Sequence, residues 1–184
     1  MIIYNNQNIK IETIQEETRN KVMELFLDKN SNMHPLDVEI KPTASQFGMI
    51  IDKIIKDKDD ENIILVLKKE DEVIGYIYLF VHYDKLIIGN VCVEKKERRQ
   101  GYGQLLTKIA ILVGENEDRD VSLRCHYPNK YLKKLGFTEL DSSYYLYKRK
   151  GLKSPNFPTF FIGIEEFEKR RKNDIKKHVK SISK

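Results

Sequence analysis

Residues 86–113 read LIIGNVCVEKKERRQGYGQLLTKIAILV, and the order of side-chain types in them decides the fold. Leu86 to Val93 is an apolar run with the composition of a buried strand. Four cations, Lys95, Lys96, Arg98 and Arg99, precede two glycines, Gly101 and Gly103, and the apolar residues then recur at helical spacing through Val113. Strand, basic glycine turn and helix in that order suit an anion, because a helix N-terminus presents unpaired N–H groups and a partial positive charge. A turn that merely joins two elements would explain the glycines, and a solvated loop would explain the cations. A phosphate-rich ligand explains both with one cause.

Upstream of this stretch, Ile63 to Lys68 and Val73 to Tyr83 are β-branched and aromatic runs with short links, so with Lys85 to Val93 they form an antiparallel meander. Thr43-Ala44-Ser45-Gln46 has the spacing of a capping box and predicts a helix to about Lys58. An earlier helix is expected from Glu16 to Asp28, with Val22, Leu25 and Phe26 as its buried stripe, after a short strand over Asn8 to Gln15. Asn30 to Pro42 has two prolines and no period and reads as a loop. Downstream come a strand over Asp120 to His126, a short helix within Tyr127 to Leu135 ended by Gly136, and a hairpin of Phe137 to Leu140 with Tyr144 to Arg149. The order β-α-α-β-β-β-α-β-α-β-β implies an α/β (α+β) sheet with helices on its faces.

The 184 residues suffice for one domain with a core, over residues 1–150, followed by a basic extension over 151–184. The net charge of +5 is concentrated at the end: from Lys148 onward there are 12 Lys/Arg against 4 Asp/Glu, leaving the rest of the chain net acidic. A high pI from such a tail is not in itself a nucleic-acid signature. The tail combines an apolar segment (Pro155, Phe157, Pro158, Phe160, Phe161) with a basic helical pattern from about Glu165 to Ile182. Three readings stay open for it: a helix docked on its own domain, a homodimer contact, or a basic arm reaching RNA or an acidic surface. No apolar run is long enough for a membrane span and the N-terminus lacks a signal-peptide pattern, so the reading is cytoplasmic with no membrane partner. Cys92 and Cys125 lie in apolar strand-like runs without ligand spacing, which suits buried thiols and no metal site.

This element order, with the opening residues, resembles the GNAT N-acetyltransferase family over roughly Asn8 to Lys150. The family's acetyl-CoA motif, R/Q-x-x-G-x-G/A after a strand, is matched by Arg98, Arg99, Gln100, Gly101, Tyr102 and Gly103. Val91-Cys92-Val93 precedes it, Leu105-Leu106 follows it, and Leu135-Gly136-Phe137 falls where the family's second motif should. The resemblance implies a mixed sheet of about seven strands flanked by about four helices, and acetyl-CoA as cosubstrate. It implies that backbone N–H groups from Arg99 to Gln104 cradle the pyrophosphate, that Val91 and Val93 pair with the pantetheine arm, and that Asn129 meets the coenzyme. The implied reaction is acetyl transfer to a primary amine of a small molecule or peptide. A non-catalytic acyl-CoA-binding module, and an acetyltransferase acting on an aminoacyl-tRNA or ribosomal target, are the alternatives.

The acid–base groups depart from the family pattern. Positions on the strand before the turn that often carry Glu or His are Ile87 and Gly89 here, which cannot move a proton. The family's tyrosine acid aligns with Leu132, one residue after Tyr131, in a segment about one helical turn short. Tyr131 is nevertheless the candidate acid, with His126 and Glu94 as candidate members of a proton route. For each there is a plain alternative: packing for Tyr131, a structural hydrogen bond for His126, a surface carboxylate for Glu94. With no single base, proton loss through water is the expected route. Arg124, Asn90 and His34 are the candidate acceptor contacts; Arg124 suits a carboxylate or phosphate on the acceptor, or an internal pair with Glu139.

Overall fold

The computed structural model describes residues 2–6, 8–28, 42–56, 59, 61–125, 130–140 and 144–148. Its elements are β1 (Ile2–Asn6), β2 (Ile9–Thr13), α1 (Glu16–Leu27), α2 (Ala44–Ile55), β3 (Asn62–Lys69), β4 (Glu72–His82) and β5 (Lys85–Val93). After a 3₁₀ turn at Lys95–Glu97 come α3 (Tyr102–Asn116), β6 (Asp120–Arg124), α4 (Lys130–Lys134), β7 (Thr138–Glu139) and β8 (Tyr144–Tyr147). The strands form one sheet in the order β1-β2-β3-β4-β5-β6-β8-β7. Neighbours are antiparallel except β5 and β6, which the α3 crossover makes parallel. None of the described helices is long and apolar enough to cross a membrane.

The expected mixed α+β architecture is present, with eight strands among the described residues rather than about seven. The additional one is β1, an edge strand too short to declare a period, which pairs antiparallel with β2 through Tyr4↔Ile11 and Asn6↔Ile9. The capping box is formed: Gln46 N–H donates to Thr43 Oγ1 at 3.2 Å and Thr43 N–H donates to Gln46 Oε1 at 2.8 Å. Helix α2 ends at Ile55, short of Lys58, where its apolar stripe gives way to the charged run that begins at Lys56.

Alternation along the strands divides the core in two. On one face Leu106, Ile109, Ala110 and Val113 of α3 pack on Leu65, Ile77, Leu79, Leu86 and Val121. On the other, Val22, Leu25 and Phe26 of α1 and Phe47 and Ile51 of α2 pack on Ile64, Val66, Tyr76, Tyr78 and Cys92, with Phe26 and Phe47 stacked at 4.1 Å.

Strand β5 changes phase midway. Leu79 pairs with Ile88 but Tyr78 pairs with Asn90, so Gly89 is the extra residue of a β-bulge. Before it the even-numbered Leu86 and Ile88 face α3; after it the odd-numbered Val91 and Val93 do, and Cys92 faces α1 and α2. A Cβ on Gly89 would lie 2.6 Å from the Tyr78 ring, so only glycine fits. Beyond the bulge β5 also loses β6: their ladder covers Lys85↔Asp120, Leu86↔Val121 and Ile87↔Ser122 and then stops.

Candidate active site

Where β5 and β6 part, a cleft of about 630 Å³ opens at their C-terminal ends, beside the N-terminus of α3. Its walls come from both faces of the sheet. Ile88, Val91, Val93 and Leu123 belong to the α3 face; Asn90 and Arg124 alternate with them and belong to the opposite one. The cleft is therefore lined by residues of both faces at the point where the two strands part. Along this gap the β5 edge is not laddered to β6, and an extended ligand with amide groups can pair with such an edge.

The turn before α3 is shaped for an anion. Arg99 (φ 65°) and Gly101 (φ 87°) are both left-handed, and Gly101 caps the helix without a side-chain hydrogen bond. The first intrahelical bond is Leu105 N–H to Gly101 O at 3.0 Å, so helix geometry leaves the N–H groups of Gly101, Tyr102, Gly103 and Gln104 without intrahelical acceptors. A Cβ added to Gly101 or Gly103 would meet no protein atom within 4 Å. Packing does not demand glycine at 103, whose φ is ordinary; open space over these N–H groups is what a pyrophosphate would fill. Arg98, Arg99, Gln100 and Gln104 follow the same turn, and all but Gln100 line the cleft. Arg98 Nε donates to Val93 O at 3.0 Å, so this arginine also braces the turn against the end of β5. Glu97, in the same wall, is paired with Lys69 at 2.9 Å and accepts from Gln100 Nε2 at 3.1 Å; the lysine hydrogen bond holds its carboxyl below the usual range. The described residues of this turn offer the donors, cations and open space that suit a phosphate-bearing group such as that of coenzyme A.

Tyr131, on α4, lines the cleft and donates its hydroxyl to Gly103 O at 3.3 Å. Burial pushes its phenol up to about 12, partly opposed by Thr107. Thr107 Oγ1 donates to the same Gly103 carbonyl at 2.8 Å, the back-bond of a helical threonine to residue i−4. Asn90 is buried in the wall, 7% exposed.

Glu94 is placed differently. It is held by Lys21 at 3.4 Å and Lys96 at 3.2 Å, faces the α1 side and does not line the cleft. Arg124 lines the cleft, but its expected internal partner Glu139 is bonded to Lys133 at 2.7 Å. The Arg124 guanidinium instead lies 5.8 Å from the centroid of the Tyr144 ring. His34, His126, Asn129 and the extension over 151–184 lie outside the described residues.

Six further wall residues were not among the sequence candidates: Ile88, Glu97, Thr107, Leu123, Cys125 and Leu132. Thr107 carried a signal, a hydroxyl on the buried stripe of an otherwise apolar helix, 4% exposed. Leu123 and Cys125 carried none, since apolar side chains at a strand end read the same whether they meet a ligand or a core.

A sequence model described as an acetyltransferase (GNAT) domain matches residues 60–139, from before β3 to the end of β7. No curated protein matches the chain in sequence. Among solved structures it is similar to PaiA N-acetyltransferase from Thermoplasma acidophilum in complex with coenzyme A: 14% identity, 78% of this chain and 99% of that one, TM-score 0.59. It is similar to the ribosomal-protein-S18-alanine N-acetyltransferase of Escherichia coli at 13% identity, over 81% of this chain and 98% of that one, TM-score 0.59. Arabidopsis thaliana NAA60 in complex with a bisubstrate analogue gives 12%, 78%, 99% and 0.58 respectively. At these identities the likeness is one of fold.

Proposed function

Because a GNAT acetyltransferase domain model matches residues 60–139, we propose that the protein transfers the acetyl group of acetyl-CoA to a primary amine of a small molecule or peptide. The observation that carries the reading is the glycine-opened N-terminus of α3, without a side-chain cap, beside the cleft where β5 and β6 part. When bound there, acetyl-CoA supplies an acyl group activated as a thioester. The N–H groups of Gly101 to Gln104 hold the pyrophosphate, with Arg98 and Arg99 beside it, and the β5 edge at Val91 and Val93 aligns the pantetheine arm. Tyr131 keeps its proton at neutral pH and gives it to the departing sulfur. Asn90 faces the acceptor side and orients the amine or the water that takes its proton. His126, Asn129 and His34 remain candidates for the proton route, the coenzyme and the acceptor.

Calorimetry with acetyl-CoA, followed by thiol release across a panel of amines and peptides, tests this. Micromolar binding with amine-dependent, saturable release is expected. Absence of acetyl-CoA binding would reject it. Binding without transfer to any acceptor would favour a non-catalytic acyl-CoA-binding module, which gains support from the cleft's Glu97 being committed to Lys69. The E. coli S18 enzyme of the same fold keeps a ribosomal-protein acceptor in the panel.

A further inference from the structure

On the α1–α2 face of the sheet, at the acceptor end of the cleft, two cations converge on one aromatic ring. Strand parity puts them on that face: Ile87 pairs with Phe80, which packs in the α1–α2 core, and with Ser122, so Lys85, Arg124 and Tyr144 share its side. Arg124 and Tyr144 are direct cross-strand partners. The guanidinium carbon of Arg124 lies 5.8 Å from the ring centroid and Lys85 Nζ lies 5.9 Å from it, with Lys85 Nζ also donating to the Tyr144 hydroxyl at 3.5 Å. A guanidinium held over a ring keeps its planar fork of N–H donors directed along its edge, the geometry that takes a carboxylate or phosphate bidentately. Arg124 lines the cleft and Lys85 does not, so Arg124 is the principal donor and Lys85 the lesser one.

We infer that the acceptor amine carries an anionic group, a carboxylate or a phosphate, bound by Arg124 and Lys85 around the ring of Tyr144. This rests on the acetyl-transfer reading above, and it names the substrate class which that reading leaves open. The amine then reaches the cleft beside Asn90 while its anionic end is held on the far side of the sheet from α3. Arg124 is in this sense a specificity residue, since it binds the acceptor and leaves the thioester to other groups.

The test uses the full chain saturated with coenzyme A. β-Alanine and O-phosphoethanolamine are titrated in by calorimetry, each against its counterpart without the anionic group, propylamine and ethanolamine. At least one anionic amine is expected to bind tenfold or more tightly than its counterpart, and which one does so separates carboxylate from phosphate. Arg124→Gln should remove that preference, Arg124→Lys should keep part of it, and Lys85→Gln should weaken it several-fold. Lys53→Gln, an exposed charge loss on α2, should leave it intact. Equal binding of charged and uncharged amines, or a preference that survives in folded Arg124→Gln, would overturn the inference. Binding that depends on Arg124 without any acetyl transfer would uphold the anion site and count against the transferase reading alone.

Discussion

The hydroxyl of Tyr131 and the main-chain carbonyl of Gly103 are hydrogen-bonded across 3.3 Å, so the candidate acid is anchored to the first turn of the helix that would hold the coenzyme. Coenzyme placement and proton placement then share one rigid reference. Tyr131→Phe should lower kcat by about a hundredfold or more, with the KM for acetyl-CoA within about twofold of wild type. Burial raises this phenol to about 12, so its proton stays on through the range in which a free tyrosine, near 10, would lose it. The wild-type rate should therefore show no alkaline limb from this group below about pH 11. A limb centred below pH 10 that disappears in Tyr131→Phe would refute the raised pKa, and an unchanged kcat in that variant would refute the assignment as acid.

Gly103→Ala separates fold from ligand. The position has an ordinary helical φ and open space where a Cβ would go, so the helix should keep or gain up to about 1 kcal/mol in a denaturant titration. Acetyl-CoA affinity should nevertheless fall tenfold or more, because the methyl enters the phosphate's approach. Loss of affinity with loss of stability would indicate a packing glycine instead.

Gly89→Ala should act the other way. The new methyl meets the Tyr78 ring at 2.6 Å, and that ring is held by its hydroxyl on Asn62 Oδ1 at 2.6 Å and by stacking on Phe80. A cost of about 1–3 kcal/mol is expected, read as a lower urea midpoint, together with weaker acceptor binding as Asn90 shifts.

Glu12 is a stability site far from the cleft. It is buried on β2 between Lys10 and Lys68, both at 2.6 Å. Burial pushes its carboxyl up, but the two lysine hydrogen bonds outweigh that and leave it below its ordinary 4.5. A depressed folded pKa means that the contribution is present above pH 4.5 and is lost as pH falls through the lower folded value. Glu12→Gln should destabilise by about 3 kcal/mol at pH 7, and its gap from wild type should close in acid. A gap that persists at pH 2 would rule out the ion pairs as its source.

Sequence carried the strand, glycine turn and helix at the head of α3 and little of the opposite wall of the cleft. The glycine turn was legible because its reasons are local: Gly101 must adopt a positive φ, and Gly103 leaves room at a helix end. The meander from β3 to β5 and the capped α2 were legible for the same reason, through period and capping chemistry. The bulge was not, since nothing in Ile88-Gly89-Asn90 announces a phase change until β4 is laid beside it. Nor was the pairing of Arg124 with Tyr144, which depends on the β6–β8 register. Lys133 lies six residues before Glu139, and only the return of the chain after α4 brings them together.

The bulge at Gly89 has a consequence for how such a protein can diversify. After it, alternate residues of one short segment face opposite sides of the sheet: Val91 and Val93 toward α3, where the proposed coenzyme would lie, and Asn90 toward the other side, where the proposed acceptor would arrive. A substitution at one parity can retune the choice of acceptor while the other parity preserves the shared donor. A one-residue insertion or deletion there would exchange the two roles and disable both.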